Sequence, residues 1–474
     1  MVASAMPGAG SVDPPVAPHL PQPSFHAHRP GSVRPASRDL RTEARLDTDV
    51  LVVGGGAAGV ATAVTAARQG LSVTLVERYG FCGGGAVAGL SGTICGLYDA
   101  TDSPCAAPRQ RVFGFAHEFA TRLAAMGGLT PPLRYGKTWT RVHDPLVWRE
   151  AADAFLKEAG VQVLFHALAV KVLTDGGERI EGVEAWTKQG IVEIRARITV
   201  DASGDADIVA MAGLPCRIGD EGRVQNPTMI FRLLNVDVPR FVAAYGTDSI
   251  MPEEVAALLR GASLPRTKVW LFPTTRPGEL LCNCTRVLGS DGRELNTLFW
   301  RDFTEAEIEG RRQVRAYAEV FRRHLAGCEN SFVNDTGVQV GVRQTRQIEG
   351  RARLTAAAVL QAAKCPDGVA LSPWPIELHR GDRPRLEWLL DDHYEVPLGC
   401  FVPARGDGLL VAGRCLSAEH EAAASARVTA QCFAYGHAIG HAAALTVREG
   451  IPPRAIRGAE LRRILNQDGA RLDG

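Results

Sequence analysis

A strand of β-branched residues that runs straight into closely spaced glycines and then into an alanine-rich helix leaves a chain few ways to fold. Residues 49–77, DVLVVGGGAAGVATAVTAARQGLSVTLVE, have that order. Val50 to Val53 predict a strand; Gly54 permits the tight turn that follows, Gly56 has no Cβ to block a pyrophosphate from the backbone, and Gly59 lets the helix lie close to the strand. The free N–H groups and positive end of that helix then face phosphate. A second strand, 71–76, stops at Glu77, about 20 residues beyond the first glycine, where a carboxylate reaches a ribose hydroxyl. Together these parts predict a dinucleotide-binding βαβ unit.

The remaining composition narrows the function classes. Apolar residues at 46% and charged residues at 22% are those of a globular protein. A net charge of +1 without a basic stripe argues against nucleic acid as a partner. No apolar run reaches the roughly 18 residues that would cross a bilayer, so no membrane partner is expected. The eleven cysteines lack paired CxxC spacing and read as reduced thiols of a cytoplasmic protein, with no metal site among them. Cys282 and Cys284, in LLCNCTRVL, alternate along a predicted strand and share a face. Residues 1–47 are rich in Pro, Ala, Ser, His and Arg without hydrophobic periodicity, which predicts a disordered leader.

Beyond Glu77 the glycine-dense stretch around Gly83 and Gly84 suits a backbone passing beside a bulky planar ligand. Residues 112–125 show helical spacing, and Asp144 or Pro145 opens another helix through about Ala159. Strand-like runs at 161–173, 180–188 and 191–200 predict a small meander that ends in the turn DASGDAD. A polar helix is expected at about 304–326, a strand at 408–413, and a long small-residue helix at about 421–447.

These landmarks resemble the FAD-dependent oxidoreductase family, distant relatives of the fumarate reductase and succinate dehydrogenase flavoproteins. The pieces that carry the resemblance are the glycine unit ending at Glu77, Gly83-Gly84, DASGDAD at 201–207, GVRQTRQIEG at 341–350, and the run from GLLVAGRC at 408 to 445. The resemblance implies an α/β fold: a discontinuous Rossmann-like FAD-binding domain with a β-meander and an inserted mixed α+β substrate domain. The expected parts are 48–215 (with a helical insertion at about 110–145) and 396–474 for FAD, and 216–395 for substrate. It implies FAD as cofactor, with contacts from Val170 toward adenine, Gly204 and Asp205 in the DASGDAD turn, Gly413 and Arg414 toward the ribityl chain, and the N-terminus of the last helix, Ala424 to Val428 with Ala426 and Val428 foremost, toward the flavin's pyrimidine edge. The absence of two cysteines four residues apart departs from the disulfide reductase branch, so a dithiol relay is not expected.

A flavin carries hydride or electrons itself, so the protein must hold a small-molecule substrate and manage a proton. His420, close after the AGR turn, is the foremost proton-transfer candidate, with a backbone-bonded helix-start histidine as the competing reading. Arg343, Arg346 and Arg427 are candidates to clamp a carboxylate, each also readable as an ordinary ion pair. His379 and His393 are candidate bases in the substrate region; His437 and His441, four apart on one helix face, read as packing. The expected reaction is dehydrogenation or desaturation of a small organic substrate. Two alternatives remain: an NAD(P)H-dependent flavin reductase or monooxygenase, and a non-catalytic FAD-binding or electron-transfer subunit.

Overall fold

The computed structural model describes residues 42–473 apart from 104 and 380. Its main sheet contains β1 (Thr42–Val53), β2 (Val73–Val76), β3 (Gln162–Leu164), β4 (Leu168–Thr174), β5 (Ile180–Thr187), β6 (Gly190–Asp201) and β7 (Leu409–Val411). β1 lies between β2 and β6, parallel to both, and β3 extends the parallel edge beyond β2. β6 is long enough to serve two neighbours on its other side: its first residues pair antiparallel with β5, and its last three pair parallel with β7. β4 closes the meander on β5. The register sets Val53 level with both Val76 and Asp201, and Asp201 level with Val411. The carboxyl ends of four parallel strands therefore finish in one row, where an α/β sheet receives its ligand.

Val50, Leu51 and Val52 are fully buried because both faces of the sheet are covered, so the strand reads as an unbroken apolar run rather than an alternation. The helix after the glycine turn, α1 (Ala57–Arg68), covers one face. At Gly59 a Cβ would lie 1.8 Å from the Gly54 carbonyl oxygen, so the helix can start here only on glycine. α1 is in turn packed against the long helix α3 (Thr429–Glu449), and glycines again set the distance. A Cβ on Gly436 would come within 2.2 Å of the Ala58 carbonyl oxygen, and one on Gly440 within 2.6 Å of Thr65.

The inserted region carries a four-stranded antiparallel sheet, in the order Trp270–Pro273, Leu280–Asn283, Phe231–Leu234, Phe332–Thr336, with the 25-residue helix Trp300–His324 beside it. Its hydrophobic core, around Phe231, Leu271, Leu280, Tyr317 and Phe321, is separate from that of the main sheet. Cys282 and Cys284 both point into that core, as their alternation predicts.

Three expectations change. The stretch assigned to a leader, 1–47, includes the start of β1, because residues 44–47 pair with residues 192–195 of β6; residues 1–41 lie outside the described residues. The run 161–173 is not one meander strand: left-handed His166 breaks it, and residues 162–164 join the parallel sheet instead. The last long helix is two helices, α2 (His420–Ala426) and α3, separated by Arg427 and an extended Val428. The second helix that Asp144 was expected to open is present: Asp144 caps Pro145–Glu158 and accepts from the N–H groups of Leu146 at 2.8 Å and Val147 at 3.3 Å.

The Gly436 contact generates a stability test. Gly436→Ala should cost about 2 kcal/mol or more, because the methyl must push two backbones apart. Gly261→Ala, on a helix with open space around it, should be neutral or stabilising by up to about 1 kcal/mol. Urea unfolding of the two variants against the parent checks both.

Candidate active site

A single cavity runs from the carboxyl ends of the main sheet into the inserted region. Its first part is made of backbone. Gly54, Gly56, Ala57 and Ala58 line it, no side chain caps α1, and Gly83 and Gly84 line it directly beside them, the Gly83 N–H donating to the Gly55 carbonyl at 2.8 Å. Gly54 (φ +105°) and Gly84 (φ +47°) hold left-handed conformations that other residues rarely adopt. Glu77 lines the same end and is buried. Its two oxygens accept from the N–H groups of Gly55 at 2.6 Å and Tyr79 at 2.8 Å, which fixes the carboxylate against the glycine turn with lone pairs to spare. Burial is the dominant influence on this carboxyl and raises its pKa.

The DASGDAD turn closes the next part. Asp201 is wholly buried and accepts from Ser203, Ile208 and Val209, while burial pushes its pKa up to about 6. Gly204 and Asp205 line the cavity beside Gly413 and Arg414. The Arg414 guanidinium donates to the Gly204 carbonyl at 2.7 Å, to the Val342 carbonyl at 2.5 Å and to the Asp205 carboxylate. Thr345 also donates to Asp205, at 2.5 Å. Burial would raise Asp205, but Arg414 and Thr345 override it and hold the carboxyl below the usual range. Val428 and Thr429, at the uncapped start of α3, complete this wall.

The far end is side chains. Tyr135, Phe272, Asn283, Arg343, Glu377, His379 and Arg427 line it. Arg343 is anchored by the Asn226 carbonyl at 2.7 Å and by Asn283 Oδ1 at 3.3 Å; Arg427 is anchored by Gln225 Oε1 at 3.2 Å, and its Nε has no hydrogen-bond partner. Behind them Arg266, wholly buried, contacts His379 Nδ1 at 3.1 Å. Three guanidinium groups thus stand within electrostatic reach of one carboxylate, Glu377, and none of them forms an ion pair with it among the described residues. Burial and the proximity of Arg266 and Arg427 lower the pKa of Arg343 well below its ordinary value, the electrostatic mark of a site with too much positive charge. Burial alone would raise Glu377, yet its contacts with His379, Arg427 and the Tyr135 hydroxyl outweigh it and hold the carboxyl below its usual range. Burial and Arg343 keep His379 neutral, well below its ordinary value.

Arg343 and Arg427 are therefore brought together as expected, and so are Gly54, Gly56, Glu77, Gly83, Gly84, Gly204, Asp205, Gly413, Arg414 and Val428. Gly59 serves packing next to the cavity. Others are placed differently. Val170 is 44% exposed and points away; Ala167, Leu168 and Ala169 are the residues of that segment on the cavity. Ala426 is fully buried in α2, and the wall begins only after the helix break. His420 does not line the cavity: at the start of α2 it faces a small separate recess with Gln225 and Glu294, and His379 stands between the two spaces. His379 itself is not a free base. A guanidinium can only donate, so Nδ1 accepts from Arg266, and the ring proton sits on Nε2, 3.3 Å from Glu377 Oε1. Arg346 braces the DASGDAD turn through the Asp205 carbonyl and Asp207, and His393 lies outside the lining. His437 and His441 do more than pack: both Nε2 atoms bond Asp468 Oδ2, at 2.7 and 2.8 Å.

Sequence reasoning missed Tyr135, Arg266 and Glu377. A carboxylate between Ile376 and Leu378 in an apolar run was the available signal, since a charge in a buried strand needs partners. Tyr135 meets Glu377 from a hairpin 242 residues earlier, and nothing local announces that contact.

No curated protein matches this sequence. Solved structures with a similar chain path include a geranylgeranyl bacteriochlorophyll reductase-like protein from Thermoplasma acidophilum, 14% identical over 90% of this chain and 85% of that one, TM-score 0.47. The flavin-dependent brominase Bmp2 is 14% identical over 89% and 84%, TM-score 0.48. The p-nitrophenol 4-monooxygenase PnpA from Pseudomonas putida DLL-E4 is 11% identical over 90% and 86%, TM-score 0.48. The sequence model of the FAD dependent oxidoreductase family matches residues 49–465, which takes in every wall of the cavity. The chain belongs to the FAD-dependent oxidoreductase family.

Proposed function

We propose that this enzyme is an FAD-dependent dehydrogenase or desaturase whose substrate is a small organic anion. The observation that carries the reading is the crowding of Arg266, Arg343 and Arg427 around the single carboxylate of Glu377 at the end of the cavity away from the glycine turn. Buried guanidinium groups that outnumber their counter-charges are stabilised by an anionic guest.

In this reading FAD takes the first and middle parts of the cavity. The N-terminus of α1 and the backbone of Gly54, Gly56 and Gly84 receive the pyrophosphate, Glu77 the ribose, and Asp205, Gly413 and Arg414 border the ribityl chain. The fit rests on the glycine cradle: Gly54, Gly56, Gly83 and Gly84 all line the cavity and put no side chain into it, and a Cβ on Gly56 would already be in contact with Gly84 Cα at 3.8 Å. Bound FAD supplies the hydride acceptor. The chain's own residues do the rest: Arg343 and Arg427 orient the anion, and the aromatic wall of Tyr135 and Phe272 limits water. The start of α3 at Val428 and Thr429 presents a positive helix end to negative charge on the ring.

Three outcomes follow. Purified protein should bind FAD, and Gly56→Val should unfold in urea like the parent yet bind FAD about a hundredfold more weakly, near 3 kcal/mol, by fluorescence titration. Arg427→Gln should keep FAD but lose about tenfold or more in affinity for simple carboxylates, read from the perturbation of the flavin absorption band. Because His379 stays neutral and Glu377 stays ionised, that affinity should be flat between about pH 5.5 and 8. Affinity that climbs as pH falls through the ordinary histidine range, about 6.5, would mean that His379 titrates there and adds a positive charge.

A further inference from the structure

Glu377 is costly where it stands. An ionised carboxylate facing a space meant for an anion repels that anion, and a cavity of guanidinium groups alone would hold a simple carboxylate better. The way its oxygens are used separates the two halves of the group. Oε1 takes the Tyr135 hydroxyl at 2.6 Å and lies 3.3 Å from His379 Nε2, whose opposite nitrogen is held by Arg266 at 3.1 Å. This chain fixes the carboxylate plane. Oε2 makes no hydrogen bond among the described residues, while Glu377 lines the same cavity as Arg343 and Arg427. A carboxylate oxygen on a cavity wall without a protein donor is open to a donor from whatever fills the cavity. The guanidinium of Arg427, which lines the same cavity and whose Nε has no hydrogen-bond partner, is the complementary vacancy on the donor side.

We propose that the substrate fills both: a carboxylic acid that bears an N–H or O–H donor on the neighbouring carbon, a 2-amino or 2-hydroxy acid. Its carboxylate meets Arg343 and Arg427, and its ammonium or hydroxyl donates to Glu377 Oε2. This rests on the anion-site reading above and adds the requirement for a donor. Specificity then follows from the acceptor. An acid without the donor leaves Oε2 unsatisfied and suffers the repulsion as well. Tyr135 and His379 are positioning residues in this account, acting through Glu377.

The test uses the full chain loaded with FAD and three matched sets of probes: acetate, propionate and succinate; glycolate, lactate and malate; glycine, alanine and aspartate. Binding is read from the flavin absorption band and from the thermal midpoint, neither of which needs turnover. Within at least one matched set, the donor-bearing acid should bind about tenfold or more tightly than the plain acid. Preference for the hydroxy acids or for the amino acids identifies which donor the site takes. Glu377→Gln should cut that preference and leave the plain acid bound as well as before or better; Glu377→Met, which removes the acceptor, should abolish the preference. Should Glu377→Met fail to fold, the comparison within the parent protein and the Gln variant still decides. Plain and donor-bearing acids binding alike in every set overturns this inference and leaves the anion site standing. FAD-loaded protein that binds none of the acids overturns the anion site itself, and the donor requirement with it.

Discussion

The separation between two pieces of backbone, the turn at Gly54 and the first turn of α1 at Gly59, governs everything downstream. A single methyl group at Gly59 would sit 1.8 Å from the Gly54 carbonyl oxygen, so glycine is what lets the helix begin directly above the strand end. The same economy recurs one layer out, where Gly436 and Gly440 let α3 lie on α1. α3 is thereby seated with its start at the row of strand ends, and the turn before it delivers Arg427 and Val428 to the cavity. Close packing of small residues sets both ends of the cavity.

The two ends of the cavity are built on different physics. The nucleotide end is backbone: N–H groups, left-handed glycines and one carboxylate clamped by two amide donors. The far end is side chains in charge imbalance, three guanidinium groups to one carboxylate, with a neutral histidine between Arg266 and Glu377 as a spacer that transmits orientation without adding charge.

That division explains what could be read from the sequence. The strand, glycine turn, helix and second strand are local patterns governed by steric rules, and α1, β2 and the carboxyl end of β1 lie where 49–77 predicts them, while β1 itself begins earlier, at Thr42. The meander was legible from alternating runs broken at Gly176-Gly177 and Gly190, although the break at His166 was not, since a left-handed histidine has no sequence signature. The break between α2 and α3 was hidden too: Arg427 and Val428 are unremarkable inside a helix, and it is at this interruption that both residues line the cavity. The far end was least legible because its members arrive from residues 135, 266, 343, 377 and 427. His420 shows the reverse error: close in sequence to the right turn, it is directed elsewhere by the helix it opens.

The most direct test of this account is a crystal structure of the FAD-loaded protein soaked with a simple carboxylate such as acetate. The account predicts the dinucleotide along the Gly54–Gly59 turn and the acetate carboxylate within hydrogen-bonding distance of Arg343 and Arg427. An ordered flavin with acetate bound only elsewhere, or with the flavin ring itself packed against both arginines, would contradict it.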